Sequence, residues 1–425
     1  MKILFLTYHG FEEASGISKK MLAQIKGLRQ NGHEVALCYY GYAEDGSRCR
    51  YVDNRVIANY GRGKWAATKQ RMSYDCIYDY CVENSIEMVY ARSFMNASPS
   101  VVRLFKRLRR AGIRSVMEIP TYPYDQEFDA LPLKYRVELF VDKMFRRQLA
   151  AQVDAIVTFS GVKTIFGQRT INISNGVDFD VIPLHNPVSL QPSDAIHMIG
   201  VAEVHPWHGF DRMIAGLGEY YKDNGNGSTH KKRKVIFHIV GGVGHIEMNG
   251  AKNLPGFANL IKRYGLQDKV VFHGKLFGDE LTEVFDQCVF AVGSLARHRS
   301  GITHIKTLKN REYACRGIPF VYSECDSDFD DQPYILKVPA DESPIDIRRI
   351  VDFVDSHQFN PADIRKTVEH LSWKKQMERV EKELSRNIED DGEYQSSNGE
   401  YQSSNGENQS SDGEYQLSEE RSKEV

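Results

Sequence analysis

The stretch Lys2-Ile3-Leu4-Phe5-Leu6-Thr7-Tyr8 is a short, almost continuously apolar run, followed by a glycine-containing loop and then by amphipathic periodicity over 17–30. A run that is apolar on both faces reads as a strand buried inside a parallel sheet, and the helix after it as the crossover such a sheet requires. Asn31-Gly32-His33 closes that helix with residues that tolerate a left-handed cap. Working outward, strand-like runs recur at 35–40, 88–91, 115–119, 155–159 and 171–174, and a second helical pattern covers 98–111. Short strands alternating with helices predict an α/β fold with a doubly wound parallel sheet.

The pattern then restarts. Pro183, Pro187 and Pro192 punctuate a polar segment that reads as a linker, and new apolar runs follow at 196–202, 235–240, 270–273, 289–293 and 320–322, with a helix over 209–221. The expected organisation is one doubly wound domain over 1–182, a linker over 183–195 and a second such domain over 196–370. Two such units imply a cleft at the carboxyl ends of their strands, which is where ligands bind. From about Glu389 the chain repeats DGEYQSS, NGEYQSS, NGENQSS and DGEYQLS. It carries too little apolar surface to offset the entropy of ordering, so 389–425 is expected to be disordered.

Composition narrows the function classes. A chain of 425 residues accommodates two domains, and 41% hydrophobic with 26% charged residues is globular. A formal charge of -2 gives no overall attraction to nucleic acid. The N-terminus lacks the long apolar core of a secretory signal, and no run approaches the ~20 apolar residues of a spanning helix. Seven scattered cysteines without a Cys-x-x-Cys pair read as free thiols in a reducing compartment, so a cytoplasmic location is expected.

Several loops hold residues suited to chemistry. Ala14-Ser15-Gly16 opens onto the first helix, where backbone N–H groups can hold an anion, although a tight turn needs the same glycine. Val240-Gly241-Gly242-Val243-Gly244 follows a strand but lacks the complete dinucleotide fingerprint. The richest segment is RHRSGITHIKTLKNRE, 297–312. Its Arg297, Arg299, Lys306, Lys309 and Arg311 surround a helix start expected near His304 or Ile305. Cations at a helix N-terminus suit a diphosphate, and Glu312, about two turns on, suits a ribose; a solvated basic face is the plain alternative. His208-Gly209 begins the second domain's first helix, where His208 either donates to a phosphate or packs under Trp207. Glu118 ends a strand before Pro120-Thr121-Tyr122-Pro123-Tyr124-Asp125. That loop either walls a sugar pocket, with Glu118, Asp125 and Glu127 accepting from hydroxyls, or is purely structural. The segment 101–114 has six cations and no acid; it reads as a docked helix with a basic outer face, or as a surface drawn to anionic lipid.

Four segments in order resemble the family-four retaining glycosyltransferases of the GT-B fold: 2–32, Ile173-Ser174-Asn175-Gly176-Val177-Asp178, 201–217 with Trp207-His208-Gly209-Phe210-Asp211-Arg212, and LKNREYACRGIP at 308–319. Leu371-Ser372-Trp373 resembles the segment that crosses back to the first domain, expected here over 371–388. The resemblance covers the chain to about Arg386. It implies two Rossmann-like domains, a nucleotide-sugar donor of the UDP or GDP type in the second, and a glycan or lipid-linked acceptor in the first, in cell-envelope polysaccharide synthesis, with no further cofactor. It implies that Glu312 holds the ribose and that Lys309, Thr307 and Leu308 hold the diphosphate. Gly16, His208, Gly209, Gly242, Arg297, Arg299 and Lys306 complete the donor set. Lys309, Glu118 and Asp125 are the candidate catalytic groups, with no metal site. His304 stands where the family has its first paired Glu, His208 where it has Lys, and Ala202 or Glu203 where it has Arg. A protonated His208 would make donor binding weaken as pH rises. Two other readings stay open: a GT-B nucleotide-sugar epimerase, and a non-catalytic partner subunit.

Overall fold

The computed structural model describes residues 1–11, 16–92, 96–125, 133–186, 195–223, 233–242 and 256–397. Residues Met1–Glu383 form one compact unit, and a second unit begins at Leu384. The first unit is organised by two sheets, one of nine strands and one of six.

The first sheet has the order β4-β3-β2-β1-β5-β6-β7-β9-β8. Its parallel centre comprises β1 (Lys2–Gly10), β2 (Glu34–Tyr42), β5 (Met88–Arg92), β6 (Arg114–Ile119), β7 (Ala155–Thr158) and β9 (Gln168–Asn172). Ile3, Leu4, Phe5 and Leu6 are wholly buried, as a run apolar on both faces demands. Helix α1 (Gly16–Gln30) is the first crossover. The sequence reading missed the antiparallel edge hairpin of β3 (Arg48–Val52) and β4 (Arg55–Gly61). Its turn residues Asp53 and Asn54 take φ of 44° and 69°, a geometry suited to these residue types. β8 (Thr164–Ile165) closes the other edge.

Helices α2 (Gly63–Met72), α3 (Asp75–Glu83), α4 (Pro99–Arg110) and α5 (Leu133–Ala150) follow in the first half. Ser98 caps α4 and Pro99 opens it. Val101, Leu104, Phe105 and Leu108 of α4 are at most 2% exposed, so its apolar stripe is spent on the sheet. The docked reading of 101–114 therefore holds, with Arg103, Lys106, Arg109 and Arg110 exposed on its outer face.

The second sheet is wholly parallel, in the order β12-β11-β10-β13-β14-β15, from β10 (Ile196–Val201), β11 (Val235–Val240), β12 (Val270–Gly274), β13 (Phe290–Val292), β14 (Phe320–Tyr322) and β15 (Ile335–Lys337). The chain reverses direction across the sheet between β10 and β13, and the corresponding crevice of the first sheet lies between β1 and β5. Helix α6 (Phe210–Lys222) covers β10, and α7 (Phe257–Tyr264) packs on α6. Further along are α8 (Gly278–Gln287), α9 (Leu308–Arg316), α10 (Ile347–Ser356) and α11 (Pro361–Thr367).

The chain then returns to the first sheet. Val177 and Trp373 exchange backbone contacts, with Val177 N–H donating to Leu371 at 2.9 Å and Trp373 N–H to Val177 at 3.2 Å. Trp373 fits only because Gly27 and Gly176 lack side chains; a Cβ on Gly27 would sit 2.7 Å from the Trp373 carbonyl carbon. Helix α12 begins at Trp373 and runs past the expected end at 388 to Ser397. Extending a formed helix costs far less than nucleating one, so Gly392 does not stop it. The rest of the repeat, most of the linker, Glu127 and Val243-Gly244 lie outside the described residues.

Candidate functional site

The crevice between β10 and β13 is built by two loops stitched together. After β10 the chain turns through the 3-10 segment Pro206–His208, and Gly209 adopts φ 65°. Leu295 N–H donates to the His208 carbonyl at 3.0 Å and Ala296 N–H to that of Trp207 at 3.2 Å. A Cβ on Gly209 would stand 2.9 Å from both Leu295 and Ala296, so glycine permits both the turn and the close approach. Across the crevice, Thr307 caps α9 by accepting from Asn310 N–H at 3.4 Å. The helix starts at Leu308, not at His304 or Ile305. Residues 303–305 instead run beside Cys325, with Cys325 N–H donating to Thr303 at 2.8 Å and Ile305 N–H to Cys325 at 3.1 Å.

Four unsatisfied side chains converge here. The Lys309 ammonium is shut off from solvent without a hydrogen bond, 5.7 Å from the Phe210 ring centre. Burial, and then Arg297 beside it, pull Lys309 down to about 7. Glu324, immediately beyond β14, is 2% exposed, and neither oxygen has a hydrogen-bond partner from another residue. Burial pushes Glu324 up to about 7 against the opposing pull of Arg297 and Lys309. The Ser294 hydroxyl and both polar atoms of the Asn310 amide are likewise buried without partners. Lys309 and Glu324 act on each other electrostatically, yet no ion pair closes between them. Buried polar groups are normally satisfied, so a lysine, a carboxyl, a hydroxyl and an amide left open in one crevice mark it as the candidate ligand site.

The other cations of 297–312 divide. Arg297 stays in the crevice, 5.6 Å from the Trp207 ring centre. Arg299 is drawn away, donating to both Asp211 oxygens at 2.9 and 2.8 Å and to Glu342 at 2.9 Å. Lys306 pairs with Asp328 at 2.9 Å. Arg311 is buried between Asp326, Asp328 and Ser174. Burial raises Asp328, but Arg311 and Lys306 outweigh it and hold the carboxyl down at about 2. Asp326 and Asp328 are thus the fixed counter-ions of Arg311 and Lys306 around the helix that carries Lys309. Glu312 lies one turn beyond Lys309, where its Oε1 accepts from Arg316 at 3.0 Å. Leu308 is 42% exposed at the start of the helix.

His208 is not the expected phosphate-binding cation. Burial, followed by Lys309 and Arg297, drives it far below its usual range, so the ring is neutral. Its Nδ1 accepts from His205 N–H at 2.9 Å, which leaves only Nε2–H to donate. Gly242 abuts Lys275, with a Cβ there standing 3.1 Å from the lysine Cε. Gly16 is the first residue of α1, and the loop before it lies outside the described residues.

On the first sheet, Glu118 is fully buried and accepts from Gln24 at 2.5 Å and Tyr90 at 2.7 Å, while Lys20 lies 3.1 Å away. Burial would raise it, but Lys20 and Arg92 win and hold it below its ordinary value. One oxygen accepts both hydrogen bonds and the other faces the Lys20 ammonium, so the carboxylate anchors this side of the sheet as a paired counter-ion. Asp125 pairs with Arg146 at 2.7 Å and Lys143 at 3.3 Å. Among the described residues, no hydrogen bond or ion pair joins either carboxylate to the Lys309 crevice. Glu324 is the residue that sequence reading missed. Its one signal is position, directly after a strand next to the switch point.

No family model and no curated protein sequence matches the chain. Its fold is nevertheless that of solved structures. A trehalose-6-phosphate synthase, OtsA, superposes with a TM-score of 0.56 at 11% identity over 90% of this chain and 98% of that one. The trehalose-6-phosphate protein from E. coli bound with UDP-2-fluoro glucose gives a TM-score of 0.53 at 12% identity, over 90% of this chain and 99% of that one. Two doubly wound sheets facing one another in this topology define the GT-B fold, and this chain has it.

Proposed function

We propose that the protein is a glycosyltransferase that moves a sugar from a nucleoside diphosphate sugar to a glycan or lipid-linked acceptor. The observation that carries this reading is the pair of unsatisfied buried groups, Lys309 and Glu324, at the switch point of the second sheet and beside the N-terminus of α9. Breaking the anomeric C–O bond leaves negative charge on the departing diphosphate. Lys309, Arg297 and the free N–H groups of the α9 N-terminus stabilise that charge from fixed positions, with no reorganisation during transfer. Glu324 faces the sugar, where a carboxyl near its midpoint of titration can accept from or donate to hydroxyls. Glu312 receives the ribose, and the neutral His208 donates through Nε2–H. The resemblance of the sequence adds the expectation of retained anomeric configuration. OtsA supports the class of donor through its UDP-2-fluoro glucose complex.

The test is calorimetric titration of the full chain with UDP, GDP and their common sugars, followed by product analysis. Micromolar binding of one nucleotide, lost in Lys309→Ala, is expected, with sugar passed on to an acceptor. Failure of a folded protein to bind any nucleotide would overturn the donor site. Release of an isomerised nucleotide sugar would replace transfer by epimerisation.

A further inference from the structure

Helix α5 is apolar on two opposite faces. Its inner face, including Leu139, Leu149 and Ala150 at 5, 1 and 0% exposure, packs onto the first domain. Its outer face carries Leu133, Val137, Phe140 and Met144, exposed by 72, 54, 64 and 56%. Steps of four, three and four residues stack these side chains along one line of the helix, opposite the buried set. Scattered exposed hydrophobics need no explanation, but a four-residue stripe on one helix does.

Charge says what covers it. Arg136, Lys143 and Arg147, all exposed, form a second row beside the stripe by the same periodicity. Among the described residues Arg136 and Arg147 make no ion pair, while Lys143 reaches Asp125 at 3.3 Å. Glu138, the acid nearest the stripe on this helix, is neutralised by Arg71 of α2 at 2.5 Å. Helix α4 packs alongside and adds the exposed Arg103, Lys106 and Arg110. A second copy of the chain would bring two cationic rows together, which opposes self-association. An apolar stripe flanked by cations matches the boundary between anionic headgroups and acyl chains.

We propose that the outer face of α5 docks the protein on an anionic lipid bilayer. Leu133, Val137, Phe140 and Met144 enter the acyl boundary, and Arg136, Lys143 and Arg147 lie against headgroup phosphates. The helix follows the loop at the carboxyl end of β6, so its Leu133 end is the one nearest the crevice side of the first sheet. This surface stands independently of the transfer reading. It would, however, hold the cleft at a height where a lipid-linked acceptor could enter.

The experiment is co-sedimentation of the full chain with vesicles of phosphatidylcholine alone and of phosphatidylcholine mixed with phosphatidylglycerol. Binding to the mixed vesicles is expected, weakening as salt rises. It should fall about tenfold or more in the double variant Val137→Asp, Phe140→Asp, and about fivefold for each of Arg136→Ala and Arg147→Ala. These side chains are exposed, so the melting temperature and nucleotide binding should stay unchanged. Absence of binding to mixed vesicles at low salt would overturn the proposal. So would binding that the variants leave intact, or a solution dimer that Phe140→Asp dissolves.

Discussion

Each sheet buries a lysine and a glutamate at the carboxyl end of its strands, with opposite outcomes. On the first sheet Glu118 receives Gln24, Tyr90 and Lys20, and Lys20 also lies 3.8 Å from the Phe159 ring centre. On the second, Glu324 and Lys309 receive no side-chain partner. Burial pulls Lys20 down to about 8 and Lys309 to about 7, so the two lysines differ modestly. The carboxyls differ in direction: Glu118 lies below its ordinary value and Glu324 is raised to about 7. Burial alone does not separate a structural ion from a functional one. Pairing does, because an unpaired buried group retains a desolvation cost that a ligand can relieve.

The comparison predicts its own breaking points. Glu118→Leu strands Lys20 without a partner and should cost about 3–5 kcal/mol, read from urea denaturation. A loss no larger than that of an ordinary surface change would show that the first pair is not an anchor. Lys309→Met should do the reverse, removing an uncompensated buried cation and stabilising the unliganded fold by about 1–3 kcal/mol. The same variant should weaken nucleotide binding at least about 30-fold. Destabilisation together with unchanged affinity would refute the contrast.

The pH dependence sharpens the comparison further. Glu324 titrates near 7 in the folded chain, above its ordinary 4.5, so the native state holds the extra proton between these values. Stability should therefore fall as pH rises from 4.5 to 7, by about 3 kcal/mol from this group, and Glu324→Gln should flatten that limb. Lys309 is displaced the other way, from 10.5 to about 7, so the native state holds fewer protons across that window and stability should rise with pH there. Nucleotide affinity should weaken by up to about tenfold per pH unit above 7, as binding requires protonated Lys309. His208→Asn should keep that slope and Lys309→Arg should remove it. The smallest effect is expected for Arg299→Lys, which loosens the clamp on Asp211 but leaves nucleotide affinity within about threefold.

Much of this was legible because it depends on local pattern. Strands apolar on both faces, alternating with helices and then restarting at 196, require buried parallel sheets. Lys309 was legible only as one of five cations around a helix start expected near His304 or Ile305, and the family resemblance singled it out; its place in the first turn came from the structure. Glu324 was not, because in Tyr322-Ser323-Glu324-Cys325-Asp326 it looks like any acid of a polar loop. Residues 303–305 lie against Cys325 and the Lys337 ammonium binds the Glu324 carbonyl, and neither is its neighbour in sequence. The charge state of His208 was not legible for a related reason, since burial, and then Lys309 and Arg297 about a hundred residues away, suppress its charge.

The amino-acid sequence by itself determined the class of fold and the inventory of charged groups at its crevices, because periodicity and turn chemistry act over a few residues. Only the tertiary structure decided which of those charges are paired. Arg299 found Asp211, Arg311 found Asp326, and Glu118 found Lys20, while Lys309 and Glu324 were left open. Charge pairing depends on distances of a few ångströms between segments far apart along the chain, and the cost of burial is set by every element that excludes water. The same holds for α5, whose two apolar faces look alike in sequence until the sheet covers one and leaves the other exposed.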